Sequence, residues 1–160
     1  MILYHGSNIE VREPKLLKIQ RDLDFGHGFY TTSDLDQAVA WAKRTARIRQ
    51  SGKPLVSSYM IDDDLFNHLK VLHFNGPDRK WLNFVAANRR GKPPTRKWDI
   101  VIGPVANDQT IQVVVLYLDG YITAREAIRR LLPQKLKDQY VFKTSAALAS
   151  LTMKEVLSYE

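Results

Sequence analysis

Residues Leu3 to Asn8 read LYHGSN, and a second glycine-rich run, Asp24 to Thr32, reads DFGHGFYTT. In the first, a β-prone segment (Ile2, Leu3, Tyr4) meets His5 and Gly6, with the small polar residues Ser7 and Asn8 behind them. A histidine at a strand end aims its ring nitrogens sideways. The glycine beside it lets a ligand approach the backbone N–H and C=O. By itself the stretch is equally an edge-strand histidine followed by a turn glycine. In the second run Gly26 and Gly28 flank His27 and lead into Phe29, Tyr30, Thr31 and Thr32, a turn feeding a short strand. It lacks the preceding strand and following helix of a dinucleotide fingerprint. A tyrosine placed there offers a flat face to a planar ring, while alternation gives one of Phe29 and Tyr30 to the core.

Outward from these runs, the chain reads as alternating strands and helices. MILYHGS is a strand ending at Gly6, and residues 8–24 are irregular. Ser33 with Asp36 resembles a capping box, and Leu35, Ala38, Val39, Ala42 and Ala46 recur at helical spacing up to about Gln50, before Gly52 and Pro54. LVSSYMI (55–61) and VLHF (71–74) are strand-like, with a helical turn or short helix in DDDLFNHLK between them. DRKWLNFVAANRR (78–90) is a helix with Trp81, Phe84 and Val85 facing the core, stopped by GKPP. WDIVIGPVAND (98–108) is a strand stopped by Gly103 and Pro104. TAREAIRRLL is a helix capped by Thr123 and Glu126 and ended by Pro133. QYVFKT is a late strand headed by Gln139, SAALASL a helix, and TMKEVLSYE a last helical turn. With strands at both ends and helices between, the class is α+β in a single domain over residues 1–160.

The 160 residues are 44% hydrophobic and 26% charged, the composition of a folded globular chain. With no cysteine, disulfides and thiolate zinc sites are excluded, and a reducing, cytoplasmic setting is expected. No stretch approaches the roughly 20 apolar residues that span a bilayer, and the amino-terminal run does not have the form of a secretory leader. The net charge of +7 points to a solvated cationic face or to an anionic partner. Lys43, Arg44, Arg47 and Arg49 cluster on one helix and its exit. His27, His68 and His73 have no metal-ligand spacing, and no metal is expected.

Taken together, LYHGSN, DFGHGFYTT ahead of an alanine-rich helix bearing a tryptophan, WLNFVAANR, IVIGPVAND and DQYVFKTSAALASL resemble, in that order and over nearly the whole chain, a bacterial toxin family of the ADP-ribosyltransferase group. The resemblance implies a split β-sheet core with surrounding helices, NAD as substrate in the cleft between the sheet halves, transfer of ADP-ribose to a macromolecular acceptor (protein or nucleic acid), and a small antitoxin protein as partner. It places His5 on a ribose, Gly6 on the nicotinamide amide through its backbone, Tyr30 against the nicotinamide ring and Gln139 at the third motif, where such enzymes commonly carry glutamate. Ser7, Gly28, Phe29 and Thr31, with Asn107 and Asp108 beyond a strand end, complete the expected NAD contacts.

Glutamine at the third motif orients a ribose hydroxyl but supplies little charge to a developing sugar cation, and it cannot deprotonate a nucleophile. Single transfer to a reactive acceptor is therefore expected rather than polymer growth. Asp24, Asp108 and Asp138 are candidate helpers, with Asp138 on the opposite strand face from Gln139. Arg12, Arg21 and the Asn88–Arg90 run compete for the pyrophosphate. Two alternatives keep different parts of this picture: an NAD glycohydrolase using the same site with water as acceptor, and a basic RNA-directed toxin or binding protein without NAD chemistry.

Overall fold

The computed structural model of the chain describes residues 1–18, 23–106 and 110–160. Its strands are β1 (Ile2–Ser7), β2 (Phe29–Thr31), β3 (Leu55–Ile61), β4 (Val71–His73), β5 (Ile100–Pro104), β6 (Asp138–Phe142) and β7 (Leu151–Ser158). The helices are α1 (Leu35–Arg49), α2 (Asp63–Phe66), α3 (Arg79–Arg89), α4 (Ile111–Leu118), α5 (Ala124–Leu131) and α6 (Ser145–Leu148). The class is α+β, built on two sheets.

One sheet has the order β1-β3-β7, all antiparallel. The other has the order β2-β6-β5-β4, antiparallel except for the β4–β5 pair. The sheets touch through an isolated bridge in which Tyr4 N–H donates to Thr32 O at 2.8 Å and Thr32 N–H to Tyr4 O at 2.9 Å. Past that bridge β1 and β2 form no further strand pairing among the described residues, and a cavity lies beside the fork.

Alternation of side chains along the strands stacks the layers. Leu3, Tyr59 and Ile61 from the first sheet meet Phe29, Ile100, Ile102 and Phe142 from the second in the core between the sheets. On the outer face of the first sheet, Ala38 and Ala42 of α1 pack on Val56. On the outer face of the second, Trp81, Leu82 and Val85 of α3, Val114 of α4, and Ala127 and Leu131 of α5 cover Val101 and Val141. The Trp81 indole N–H donates to Pro104 O at 2.9 Å, fixing α3 to the end of β5.

Contact between α1 and β1 is unusually close at Gly6. A Cβ built there would lie 2.0 Å from Ala38 O and 2.8 Å from Ala42 N. Glycine is what allows the helix backbone to rest on the strand.

Two local expectations are corrected. The N-cap of α1 is Asp34, whose carboxylate accepts from Gln37 N–H at 2.8 Å, and not Ser33. Ser33 is taken by Asp138, which accepts its backbone N–H at 2.9 Å and its hydroxyl as well, so the capping role passes to the next residue. The carboxy-terminal TMKEVLSYE lies mostly in β7, where it completes the first sheet against β3 instead of extending a helix. Elsewhere Thr123 caps α5 as read, accepting from Glu126 N–H at 3.2 Å.

Candidate functional site

A cavity of about 460 Å³ opens at the fork between the sheets, with His5 and Gly6 of β1, Tyr30 of β2 and Gln139 of β6 all on its wall. These residues stand up to 134 positions apart in the sequence, and the β2–β6 pairing together with the bridge from β1 gathers them. The rest of the wall comes from Trp41, Arg44, Thr45 and Ile48 of α1, Arg89 of α3, Leu23 and Asp24, Val105 and Ala106, and Ile111.

His5 is fixed on two sides. Its ring stacks on Phe29, with centroids 4.3 Å apart and planes 26° from parallel. Its Nδ1 lies 2.7 Å from Tyr30 O, and because a carbonyl only accepts, Nδ1 carries the proton and Nε2 is the acceptor. Burial pushes the His5 pKa below 6.5, against the opposing effect of the Tyr30 carbonyl; the Arg49 charge lowers it further. The imidazole is therefore neutral at pH 7. A base whose folded pKa is depressed favours folding above its unfolded value, and that stability is lost as pH falls through the folded one. Acid unfolding should therefore steepen as pH drops below about 6.5, and His5→Gln should flatten this limb. Equal pH profiles for both proteins in urea titrations would show that His5 is not the group responsible.

Tyr30 is anchored by its hydroxyl, which donates to Gly26 O at 2.6 Å and accepts from Phe25 N–H at 3.0 Å. Burial pushes the phenol pKa upward, so it stays protonated as the donor. The turn 25–28 that holds it is clamped from the other side by Lys143, whose Nζ donates to Phe25 O at 2.5 Å and His27 O at 2.8 Å. Burial lowers the Lys143 pKa to about 8. Tyr30→Phe leaves the buried Phe25 N–H without its partner and should cost about 1–3 kcal/mol. A urea midpoint unchanged from wild type would mean that water replaces the hydroxyl.

Gln139 is 2% exposed, and its Nε2 donates to Pro104 O at 3.2 Å. That leaves Oε1 as an acceptor and the second Nε2 hydrogen as a donor. Asp138 points the other way, as alternation requires, and is engaged by Thr32 and Ser33.

Asp24 is buried on the cavity wall, but its Oδ1 accepts from Arg89 Nε at 2.7 Å and also pairs with Nη2, while Ala106 N–H reaches Oδ2 at 3.4 Å. Both oxygens of this carboxylate are already engaged.

Of the other expected contacts, those among the described residues lie off the cavity wall. Phe29 is under His5 in the inter-sheet core. Thr31 is fully buried and donates to Tyr140 O at 2.8 Å. A Cβ at Gly28 would meet Val141 Cγ1 at 2.5 Å, so its smallness serves strand packing. Ser7 is buried beside Asn8. Asn107 and Asp108 lie outside the described residues, as does Arg21. Among the described residues, no group of three or more His, Asp or Glu side chains could hold a metal ion, and no helix is long and apolar enough to cross a membrane.

Sequence reading did not bring Trp41, Thr45 and Ile48 to the site. Their spacing with Arg44 is i, i+3, i+4, i+7, a helical stripe beside the buried Ala38–Ala42 face. That stripe was visible in the sequence, but nothing there showed that it faces a cavity.

No curated protein and no solved structure matches the chain. A family model described as "Protein of unknown function (DUF3990)" matches residues 1–153, which include His5, Tyr30, Arg89 and Gln139. The chain belongs to the DUF3990 family.

Proposed function

We propose that this protein is an NAD-dependent mono-ADP-ribosyltransferase, with an ADP-ribosyltransferase-type split sheet, that acts in the cytoplasm as a toxin on a macromolecular target and is neutralised by a small antitoxin protein. One observation carries the proposal: His5, Gly6, Tyr30 and Gln139, chosen by motif resemblance, share the wall of one cavity where the two sheets part. Each brings suitable chemistry. Tyr30 offers a ring held by its own hydroxyl, so stacking on nicotinamide costs little side-chain freedom. Gly6 lines the cavity, where its backbone groups can meet a carboxamide. Neutral His5 accepts a ribose hydroxyl through Nε2, and Gln139 accepts another through Oε1.

In the transfer step the bond between ribose C1′ and the nicotinamide nitrogen breaks with its electron pair, and nicotinamide leaves neutral. The acceptor nucleophile forms the new bond to C1′ and gives up its proton to water. Among the described residues, the only carboxylate on the cavity wall is Asp24, which is already paired with Arg89. Such a site suits an acceptor that is reactive without an enzymic base, and a single transfer rather than chain growth.

Incubation of the purified protein with NAD labelled in its adenylate half, together with cell extract, tests this. Label on a macromolecule and release of nicotinamide are expected. Nicotinamide release without labelled macromolecule would reassign the protein as an NAD glycohydrolase. Neither product, with RNA cleavage in the absence of NAD and steeply salt-dependent RNA binding, would replace NAD chemistry with the RNA-directed alternative.

A further inference from the structure

The cavity has a second wall, built by α1 and α3, that the His5–Tyr30–Gln139 set does not use. We infer that Arg89 and Trp41 on this wall form the subsite for the adenosine diphosphate end of a dinucleotide, Arg89 on the phosphates and Trp41 against the base. This assignment rests on the reading of the cavity as an NAD site.

Arg89 comes first. Its guanidinium has five N–H donors in a rigid plane. Asp24 engages two of them through one carboxylate oxygen, which leaves three and fixes the orientation of the plane. The side chain is 27% exposed and lines the cavity, so the remaining donors are in reach of a ligand. Two of its rivals are engaged elsewhere. Arg90 donates to Leu118 O at 3.2 Å, and Arg12 pairs with Glu10 at 2.5 Å.

The anchor of Arg89 also ties it to the strand end that Gln139 contacts. Gln139 binds Pro104 O, and two residues later Ala106 N–H binds the same Asp24 that holds Arg89. Gln139 and Arg89 both line the cavity, so one ligand that fills it meets both. Among the described residues Asp24 is the one carboxylate on the cavity wall, which also carries Arg44 and Arg89, and the Arg49 charge is felt at His5.

Trp41 is the independent observation. It is half-buried, yet among the described residues it belongs to none of the three apolar cores, and it lines the cavity beside Arg44 and Ile48. A tryptophan that serves no core and stands with exposed Ile48 at a cavity mouth is a stacking platform for a flat ring. Beyond two phosphates, that ring is the nucleobase.

The test is calorimetric titration of the full chain with ADP and, separately, with nicotinamide. Trp41→Ala should weaken ADP binding by about tenfold or more, the loss of one base–aromatic stack. Trp41→Phe should restore most of that affinity. Arg89→Gln should cost about tenfold or more in ADP affinity by removing a charge-assisted phosphate contact. Nicotinamide affinity should stay within about twofold in every variant, a separation that a general loss of structure does not produce. Arg89→Gln leaves the Asp24 carboxylate buried and unpaired. If it melts below the assay temperature, Arg89→Lys takes its place and should show an intermediate loss.

ADP affinity unchanged in Trp41→Ala and in the Arg89 variants would overturn the assignment, as would wild-type protein that binds no ADP at millimolar concentration. ADP binding that depends on both residues, without turnover of NAD, would sink the proposed transferase activity and leave the subsite standing. Turnover of NAD with no contribution from either residue would do the reverse.

Discussion

Gly6→Ala should unfold or strongly destabilise the protein. The new methyl would be placed 2.0 Å from Ala38 O and 2.8 Å from Ala42 N. Both are backbone atoms in the middle of α1, so no rotamer change relieves the clash, and the helix must lift away from β1. Lifting it breaks the packing of Ala38 and Ala42 on Val56. It also displaces Trp41, Arg44, Thr45 and Ile48, one side of the cavity. Forced overpacking commonly costs 1–3 kcal/mol, and a clash with rigid backbone belongs at or above the top of that range, about 3 kcal/mol. For a chain of this size that is a fall in melting temperature of roughly 6–12 °C. Gly76→Ala is the control, because a Cβ there meets nothing within 4 Å. A Gly6→Ala protein within about 1 kcal/mol of wild type by urea denaturation would contradict the close seating of α1 on β1. Gly6 therefore has a structural reason to be glycine that is independent of any ligand.

Gln139→Glu should separate stability from chemistry. The glutamine amide donates to Pro104 O and is almost fully buried. A carboxylate in its place cannot donate and would face a carbonyl oxygen. An uncompensated buried charge of this kind costs about 3 kcal/mol. The carboxyl pKa should rise above its ordinary value of about 4.3 through burial. A folded pKa raised above the unfolded one gives stability that is present at low pH and lost as pH climbs through the folded value. The variant should therefore lie close to wild type near pH 4, where the protonated acid donates to Pro104 O, and fall away towards pH 8. Nicotinamide release should follow the opposite trend, rising with pH as a carboxylate forms beside the developing ribose cation. Gln139→Ala should lower release at every pH. Equal rates for the glutamine, glutamate and alanine proteins would remove Gln139 from the site.

Glutamine at this position combines two demands that glutamate meets less well. The nitrogen secures the end of β5, where Pro104 O also accepts from Trp81, and the oxygen remains for a ligand. The hydrogen bond to Pro104 O gives a neutral amide at this position a reason in stability.

Elements with strong local patterns were legible in the sequence. α1, α3 and α5 carry both helical periodicity and capping chemistry, and β1, β3, β5 and β6 are short β-prone runs between breakers. The opposite facing of Asp138 and Gln139 follows from strand alternation alone. Two segments were not legible for physical reasons. α4 reads IQVVVLYL, apolar all round and rich in β-branched residues, so local preference and periodicity do not identify it as a helix. The segment TMKEVLSYE has neither a clean helical nor a clean strand period. It joins β7 because β3 offers an unpaired edge, with an irregularity in register at Ser58 and Tyr59.

The sequence by itself determined the α+β class, the placing of His5 and Tyr30 on strands 25 residues apart, and the side of β6 on which Gln139 stands. Those are consequences of local sterics and of the two-residue strand period, which act over a few neighbours. Only the tertiary structure decided that the two sheets join at one bridge and then diverge, and that Asp24 turns Arg89 towards the gap. It also decided that the Trp41 stripe of α1 closes the gap from the other side. These depend on long-range pairing and burial, which no local pattern encodes. LYHGSN is a strand in either setting; the fork beyond Tyr4 makes it part of a cavity wall.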